Sequence, residues 1–165
     1  MTTVIDGTTG IDKVKDGSIV QADLGPNVAG NGPAFSAYQS TPQASSTSAA
    51  KVQFQTKQFD TASAFDNITN NRFQPTVAGH YQLNGAVASG AVAAALIATI
   101  YINGVAEKAG VFVSGPTAFL ATVSALVYLN GTTDYAELWA SSSVAQNWQA
   151  SKTGTYFQGF LARAA

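Results

Sequence analysis

Cysteine is absent from all 165 residues, which excludes disulfide frameworks, thiolate catalysis and cysteine-ligated zinc or iron–sulfur sites. Histidine occurs once, at His80, so no histidine-rich metal cage can form and any Ser–His–Asp triad has one candidate base. Charge is scarce as well. Eight basic and nine acidic side chains make up 10% of the chain, against roughly 25% in average soluble proteins. The net charge of −1 leaves no electrostatic footprint for nucleic acid or an anionic lipid surface. The most apolar stretch, 86–102, is alanine-rich and broken by Ser89-Gly90, short of the roughly 20 strongly apolar residues of a membrane span. The opening Met1-Thr2-Thr3-Val4-Ile5-Asp6-Gly7 has neither the basic nor the apolar region of a secretory signal. The expectation is a product made in a cytoplasm, with no membrane insertion and no nucleic-acid partner.

What replaces the missing charge is Ala, Ser, Thr, Gly, Gln and Asn. The length suits one domain, long enough to bury a core without covalent staples. Residues 1–33 carry six of the seventeen charges and six of the fifteen glycines. Their short β-prone pieces, with Val4, Ile5, Ile11, Ile19 and Val20, are separated by Asp-Gly and Gly-Pro punctuation. This segment reads as an extended attachment arm and hinge. Its glycine-rich end, residues 25–33, lacks the Gly-Lys-Ser/Thr ending of a phosphate loop. Residues 34–165 read as the folded domain, with 39–50 as a polar low-complexity loop.

From Lys51 onwards the pattern is all-β. Tyr81, Leu83, Gly85 and Val87 alternate with His80, Gln82, Asn84 and Ala86, a period of two. Ala121, Val123, Ala125, Val127 and Leu129 share one face of another strand, which ends at Asn130-Gly131. Asn103-Gly104 supplies a second candidate hairpin turn, because Asn-Gly tolerates positive φ. Stretches 135–140 and 156–162 complete the set. In 91–98 alanine favours helix, but Gly90 and the β-branched Thr99, Ile100 and Ile102 favour strand, and strand is expected. Several short strands divided by turns make a sandwich or barrel.

The spacing of Phe54, Asp60, Phe65, Phe73, Gly79 and Tyr81 resembles the signature of the complement C1q-type globular head. That head is a jelly roll shared with tumour-necrosis-factor-like trimers. Thr133-Asp134-Tyr135-Ala136-Glu137-Leu138-Trp139 is similar to the family's Gly-Asp-x-Val-x-Leu strand, through Asp134 and Leu138. Thr155-Tyr156-Phe157-Gln158-Gly159-Phe160-Leu161 resembles its closing strand, through Phe157, Gly159 and Phe160. The chain departs from the pattern in one extra residue between Phe65 and Phe73, and in Leu83 and Gly85 where the family prefers aromatics. The resemblance implies a two-sheet jelly-roll sandwich over residues 34–162, packing as three copies around a threefold axis. Read by their own chemistry, the signature residues are core and turn positions: Gly79 suits positive φ or a close backbone approach, and Gly159 a closely crossed strand.

Little here suggests catalysis. His80 falls on the polar face of its strand, and no Gly-x-Ser-x-Gly elbow occurs. Asp60 and Asp66 are far from the next acid at Glu107, too few oxygens for a hard-cation site, and read as turn caps. Trp139, Trp148, Tyr128 and Tyr156 read as core or subunit contacts rather than sugar platforms. The two sequons, at Asn67 and Asn130, mean little without a secretory signal. No enzyme activity, cofactor or metal is expected.

The face Leu120, Thr122, Ser124, Leu126 and Tyr128 carries apolar groups that the strand's other face does not need. Leu120, Leu126 and Tyr128 are therefore candidate subunit contacts of a homotrimer. The arm resembles segments of bacteriophage tail-fibre and virion proteins. Together these imply a virion structural protein: a short fibre or tail-tip knob docked by residues 1–33 on other virion proteins, with host-surface glycan or protein as a further partner. Loops 39–50, 113–118 and 141–154 would hold that contact. The alternative is a capsid decoration or head-fibre protein. A virion carbohydrate-active enzyme is disfavoured, since no flanking carboxylate pair can be assigned.

Overall fold

The computed structural model describes residues 23–25, 30–90, 95–115 and 120–165. The arm positions Val4, Ile5, Ile11, Ile19 and Val20, and part of the 91–98 and 113–118 stretches, lie outside them. In chain order the strands are β1 (Ala34–Tyr38), β2 (Gln43–Ala44), β3 (Ala50–Lys51), β4 (Thr56–Asp60), β5 (Phe65–Asp66), β6 (Arg72–Phe73) and β7 (Gly79–Ala88). They continue with β8 (Leu96–Ile102), β9 (Val105–Ala109), β10 (Leu120–Leu129), β11 (Ala136–Ser142), β12 (Asn147–Trp148) and β13 (Tyr156–Ala164). No α-helix occurs among the described residues.

Two antiparallel sheets face each other. The first runs β10-β7-β13-β1-β4, the second β5-β6-β11-β8-β9 with β3 added on β11. Period-two patterning drives this arrangement. In β10 every second residue, from Ala121 to Leu129, is buried and the others are exposed, so the strand can lie only with that face on the core. Its ten residues pair in unbroken register with β7, from Leu120 opposite Ala88 to Leu129 opposite Gly79. This is an all-β jelly-roll sandwich.

An aromatic cluster joins the sheets. Phe35 of β1 stacks on Phe73 of β6 at 4.3 Å and on Phe65 of β5 at 4.9 Å, with Phe157 of β13 edge-on at 5.1 Å. Phe54 and Tyr81 extend it at 6.1 Å from Phe65 and 5.4 Å from Phe73. All six rings are buried. Leu138 packs in the same core, and its methyl groups take the space that a Cβ at Gly85 would need. At Gly159 a Cβ would collide with Leu83 and come 2.8 Å from the Gln82 carbonyl. Glycine there lets β13 and β7 lie close.

Several expectations need correction. Phe160 is not a core residue: it is 49% exposed. Phe157, Gly159 and Leu161 turn inward along β13, and strict alternation sends Phe160 the other way. Asn130-Gly131 does not close a hairpin, because β10 and β11 belong to different sheets. There Asn130 Oδ1 instead accepts the amides of Thr132, Thr133 and Asp134 at 2.9–3.0 Å. Asp134 returns the tie, accepting from Asn130 N at 3.0 Å and from Asn103 Nδ2 at 2.8 Å. Gly79 begins a strand rather than a turn and has no positive φ, but the close backbone approach expected there is present, with the Arg163 carbonyl and Leu161 filling the space a Cβ would take. The 39–50 stretch is not wholly loop, since β2 pairs with β12 across about a hundred residues of chain. Of the two Asn-Gly pairs, Asn103-Gly104 is the hairpin turn, with φ of 53° and 77° between β8 and β9.

Truncating Phe35 removes the ring on which Phe65 and Phe73 stack. Phe35→Ala is expected to cost about 3–5 kcal/mol, and Gly159→Ala about 1–3 kcal/mol through overpacking. Urea denaturation of both variants measures this; losses under about 0.5 kcal/mol would mean the two sheets are joined elsewhere.

Candidate assembly interface

The second sheet covers one side of the first. The other side is bare, and residues opposite one another in register share it. One row across it is Phe59, Ser36, Gln158, Asn84 and Ser124; the next is Ala34, Phe160, Gln82 and Leu126; a third is Arg163, His80 and Tyr128. The apolar members fall into two groups. Leu120, Leu126 and Tyr128 stand on β10 at one edge; Phe59 on the opposite edge strand β4 and Phe160 on the central strand β13, both about half exposed, form the other. Val111 and Phe112 are also exposed, and the Val111 amide bonds to the Thr122 carbonyl along the outer edge of β10 at 3.3 Å.

Between the two apolar groups runs a polar strip. Gln82 Nε2 donates to Ser124 Oγ at 2.9 Å, and Ser124 Oγ donates to Asn84 Oδ1 at 2.9 Å. His80 lies edge-on to Tyr128 at 5.5 Å, exposed and hydrogen-bonded to no carboxylate or hydroxyl of a triad. Among the described residues no three His, Asp or Glu side chains gather as a metal site.

The remaining sequence candidates fall in structural positions. Asp60 accepts the amides of Ala64 and Phe65 at 2.9 and 3.1 Å and pairs with Lys57 at 3.0 Å. Asp66 accepts those of Ile68, Thr69 and Asn70 at 2.9, 3.0 and 3.1 Å. Both are turn caps. Trp148 is fully buried. Trp139, on the outer face of the second sheet, stacks on Tyr101 at 4.6 Å and donates its indole N–H to Glu137 at 2.8 Å. Burial pushes the Tyr81 phenol up to about 12, and its hydroxyl donates to the Val77 carbonyl at 2.7 Å.

The described parts of the loops named for an outer contact meet at one end. Ser45 N bonds to Gln146 O at 2.7 Å, Gln39 N to Thr155 O at 2.9 Å, and Leu96 N to Val113 O at 2.8 Å. The described chain enters and leaves at the other end, where Leu161 N bonds to Pro33 O at 3.0 Å and Ala165 N to Ala78 O at 3.0 Å. Sequence reasoning missed Phe59, Val111 and Phe112 as members of the exposed apolar set. Parity along β13 held the signal for Phe160, whereas the register shift at Ser36/Ala37 that accompanies the pairing of β4 with β1 is invisible in sequence.

This fold places the chain in a structural class, the jelly-roll heads. Among solved structures it is similar to murine APRIL at pH 5.0, with 12% identity and a TM-score of 0.58 over 78% of this chain and 98% of that one. It is also similar to the globular domain of zebrafish complement 1qA protein, with 17% identity and a TM-score of 0.57 over 81% and 98%. The fold is thus that of tumour necrosis factor and C1q heads. No family model and no curated protein matches the sequence.

The Asp66 carboxyl is drawn down from 3.8 to about 2, chiefly by the Thr69 and Ile68 amides. A depressed carboxyl contributes stability above its unfolded pKa and loses it as pH falls through the folded one. Asp66→Ala is therefore expected to be less stable than the native chain at pH 5, with the gap closing between about pH 4 and pH 2. Denaturant midpoints across that range measure it; a gap unchanged at pH 2 would locate the effect elsewhere.

Proposed function

We propose that this chain is the subunit of a homotrimeric, non-enzymatic knob of a bacteriophage virion. It is a short-fibre or tail-tip element held to other virion proteins by residues 1–33. The observation that carries the trimer is the bare sheet face, with one apolar group along the β10 edge and another, Phe59 and Phe160, across β7 from it. A contact between unlike patches closes into a ring when the rotation between copies is right. The β10 side of one copy, with Leu126, Tyr128, Val111 and Phe112, would pack on the Phe59–Phe160 side of the next. Each such side chain contributes roughly 1.5–3 kcal/mol once removed from water. The polar strip then lies nearer the axis, where its amides and hydroxyls can bond to their counterparts.

The virion setting rests on the arm, whose segments resemble those of tail fibres. The geometry agrees with it in one respect: the arm's junction and the loop cluster lie at opposite ends of the sandwich. An arm seated in a particle would leave the loops 39–50, 113–118 and 141–154 facing outward.

Light scattering at micromolar concentration is expected to give the mass of three chains. Leu126→Glu, which places three carboxylates in an apolar contact, is expected to reduce it to one. A native chain running as a monomer would overturn the trimer. For the arm, a chain lacking residues 1–33 is expected to stay trimeric yet fail to enter particles. Labelling of intact particles separates a tail tip from a capsid decoration, and normal incorporation of the truncated chain would dismiss the docking role.

A further inference from the structure

A cleft of about 290 Å³ opens beside the short β5–β6 ladder, lined by Ser63, Asp66, Asn70, Arg72, Gln74 and Thr132, with Ala64 and Pro75 as an apolar wall. It belongs to the second sheet, away from the bare face. We propose that it binds a carboxylated sugar, a single uronic or sialic acid unit, through Arg72. Thr132, Pro75 and Thr76 place the cleft toward the pole where Ala165 meets Ala78, opposite the outward loops, so it is a site separate from the host-surface contact proposed above.

Arg72 is the reason. Its cross-strand partner is Asp66, the natural counter-ion, yet the two form no ion pair. Asp66 is consumed by its own turn, accepting three amides and the Asn70 side chain at 2.7 Å. Lys51, Lys57 and Lys108 each hold a carboxylate at 2.6–3.0 Å; Lys152 and Arg163 hold none in the described structure, but neither lines this cleft. Among the described residues no carboxylate lies within ion-pair distance of the half-buried guanidinium, although Asp66, held by its own turn, borders the same cleft.

The group is also held in place. Its carbon lies 4.4 Å above the Tyr135 ring, and one nitrogen donates to Gln74 Oε1 at 2.8 Å. Gln74 is itself anchored, donating to the Thr132 carbonyl at 3.1 Å. One of five N–H donors is spent, and the planar fork that remains matches a carboxylate in two parallel bonds. Ordering the side chain in advance removes much of the entropy cost of binding.

The other walls choose the ligand. Ser63, Thr76 and Thr132 offer hydroxyls and Asn70 an amide, suited to a polyol, while Pro75 and Ala64 can face ring C–H groups. The volume is at the small end of ligand sites, enough for one ring rather than a chain of sugars. An acidic peptide would use the guanidinium but leave the hydroxyl rim idle.

The test is an amide NMR titration of the full chain with glucuronic acid, N-acetylneuraminic acid, glucose and a glutamate dipeptide. The acidic sugars are expected to shift residues 63–76 and 130–135, with millimolar dissociation constants, and glucose to leave them unmoved. Arg72→Gln is expected to weaken binding at least tenfold, and Arg72→Lys, which keeps the charge but not the fork, by less. Spectra unchanged outside the cleft verify the fold of each variant, and Arg72→Lys alone decides if Arg72→Gln is unfolded. Silence with both acidic sugars, an equal response to glucose, or unweakened binding by the folded variants would overturn the site. Equal binding of the dipeptide would overturn its assignment to sugars. The readout does not depend on trimer formation or on a particle, so this reading and the virion reading fail separately.

Discussion

The fold depends on a stack of three phenyl rings. Phe35, from the first sheet, sits between Phe65 and Phe73 of the second at 4.9 and 4.3 Å, where offset packing adds to the burial of each ring. β5 and β6 are only two residues long and have few ladder bonds to hold them. Their rings hold them instead. The turn between them is then fixed by Asp66, and Phe54 N reaches the Asn71 side chain at 2.8 Å. One aromatic contact thus positions both the sheet pairing and the walls of the Arg72 cleft.

Scarcity of charge shapes the surface in a second way. Among the described side chains in the rows across the bare face, Arg163 alone carries a fixed charge, with His80 beside it in register. Most soluble sheets protect an exposed face with charged groups; this one uses amides and hydroxyls bonded to one another, as in Gln82, Ser124 and Asn84. Such groups keep the face wettable, yet they cost less to bury than ions when they find partners.

Much of the sandwich was legible because period two is a local property. β10 alternates without a break, and its parity alone separates Val127 from Tyr128. The aromatic spacing likewise pointed to the jelly roll before any coordinates. What escaped was non-local or set by irregularity. The β2–β12 pair joins residues far apart through two-residue strands, too short for any pattern. Phe59 is exposed through pairing across a register shift, and Phe160 was read by its family position when its parity said otherwise. Arg72 gave no signal, because its lack of a counter-ion follows from Asp66 turning to its own amides. Gln74 and Thr132, which steady it, are 58 residues apart.

Both ends of the described domain leave from the same pole, at Pro33 and Ala165, while the loops gather at the opposite one. A polypeptide fused at either end would therefore emerge beneath the sandwich and leave the upper loops unobstructed. The molecule is in this respect a natural pedestal: sequence could be exchanged at its crown without touching the strands beside Pro33 and Ala165.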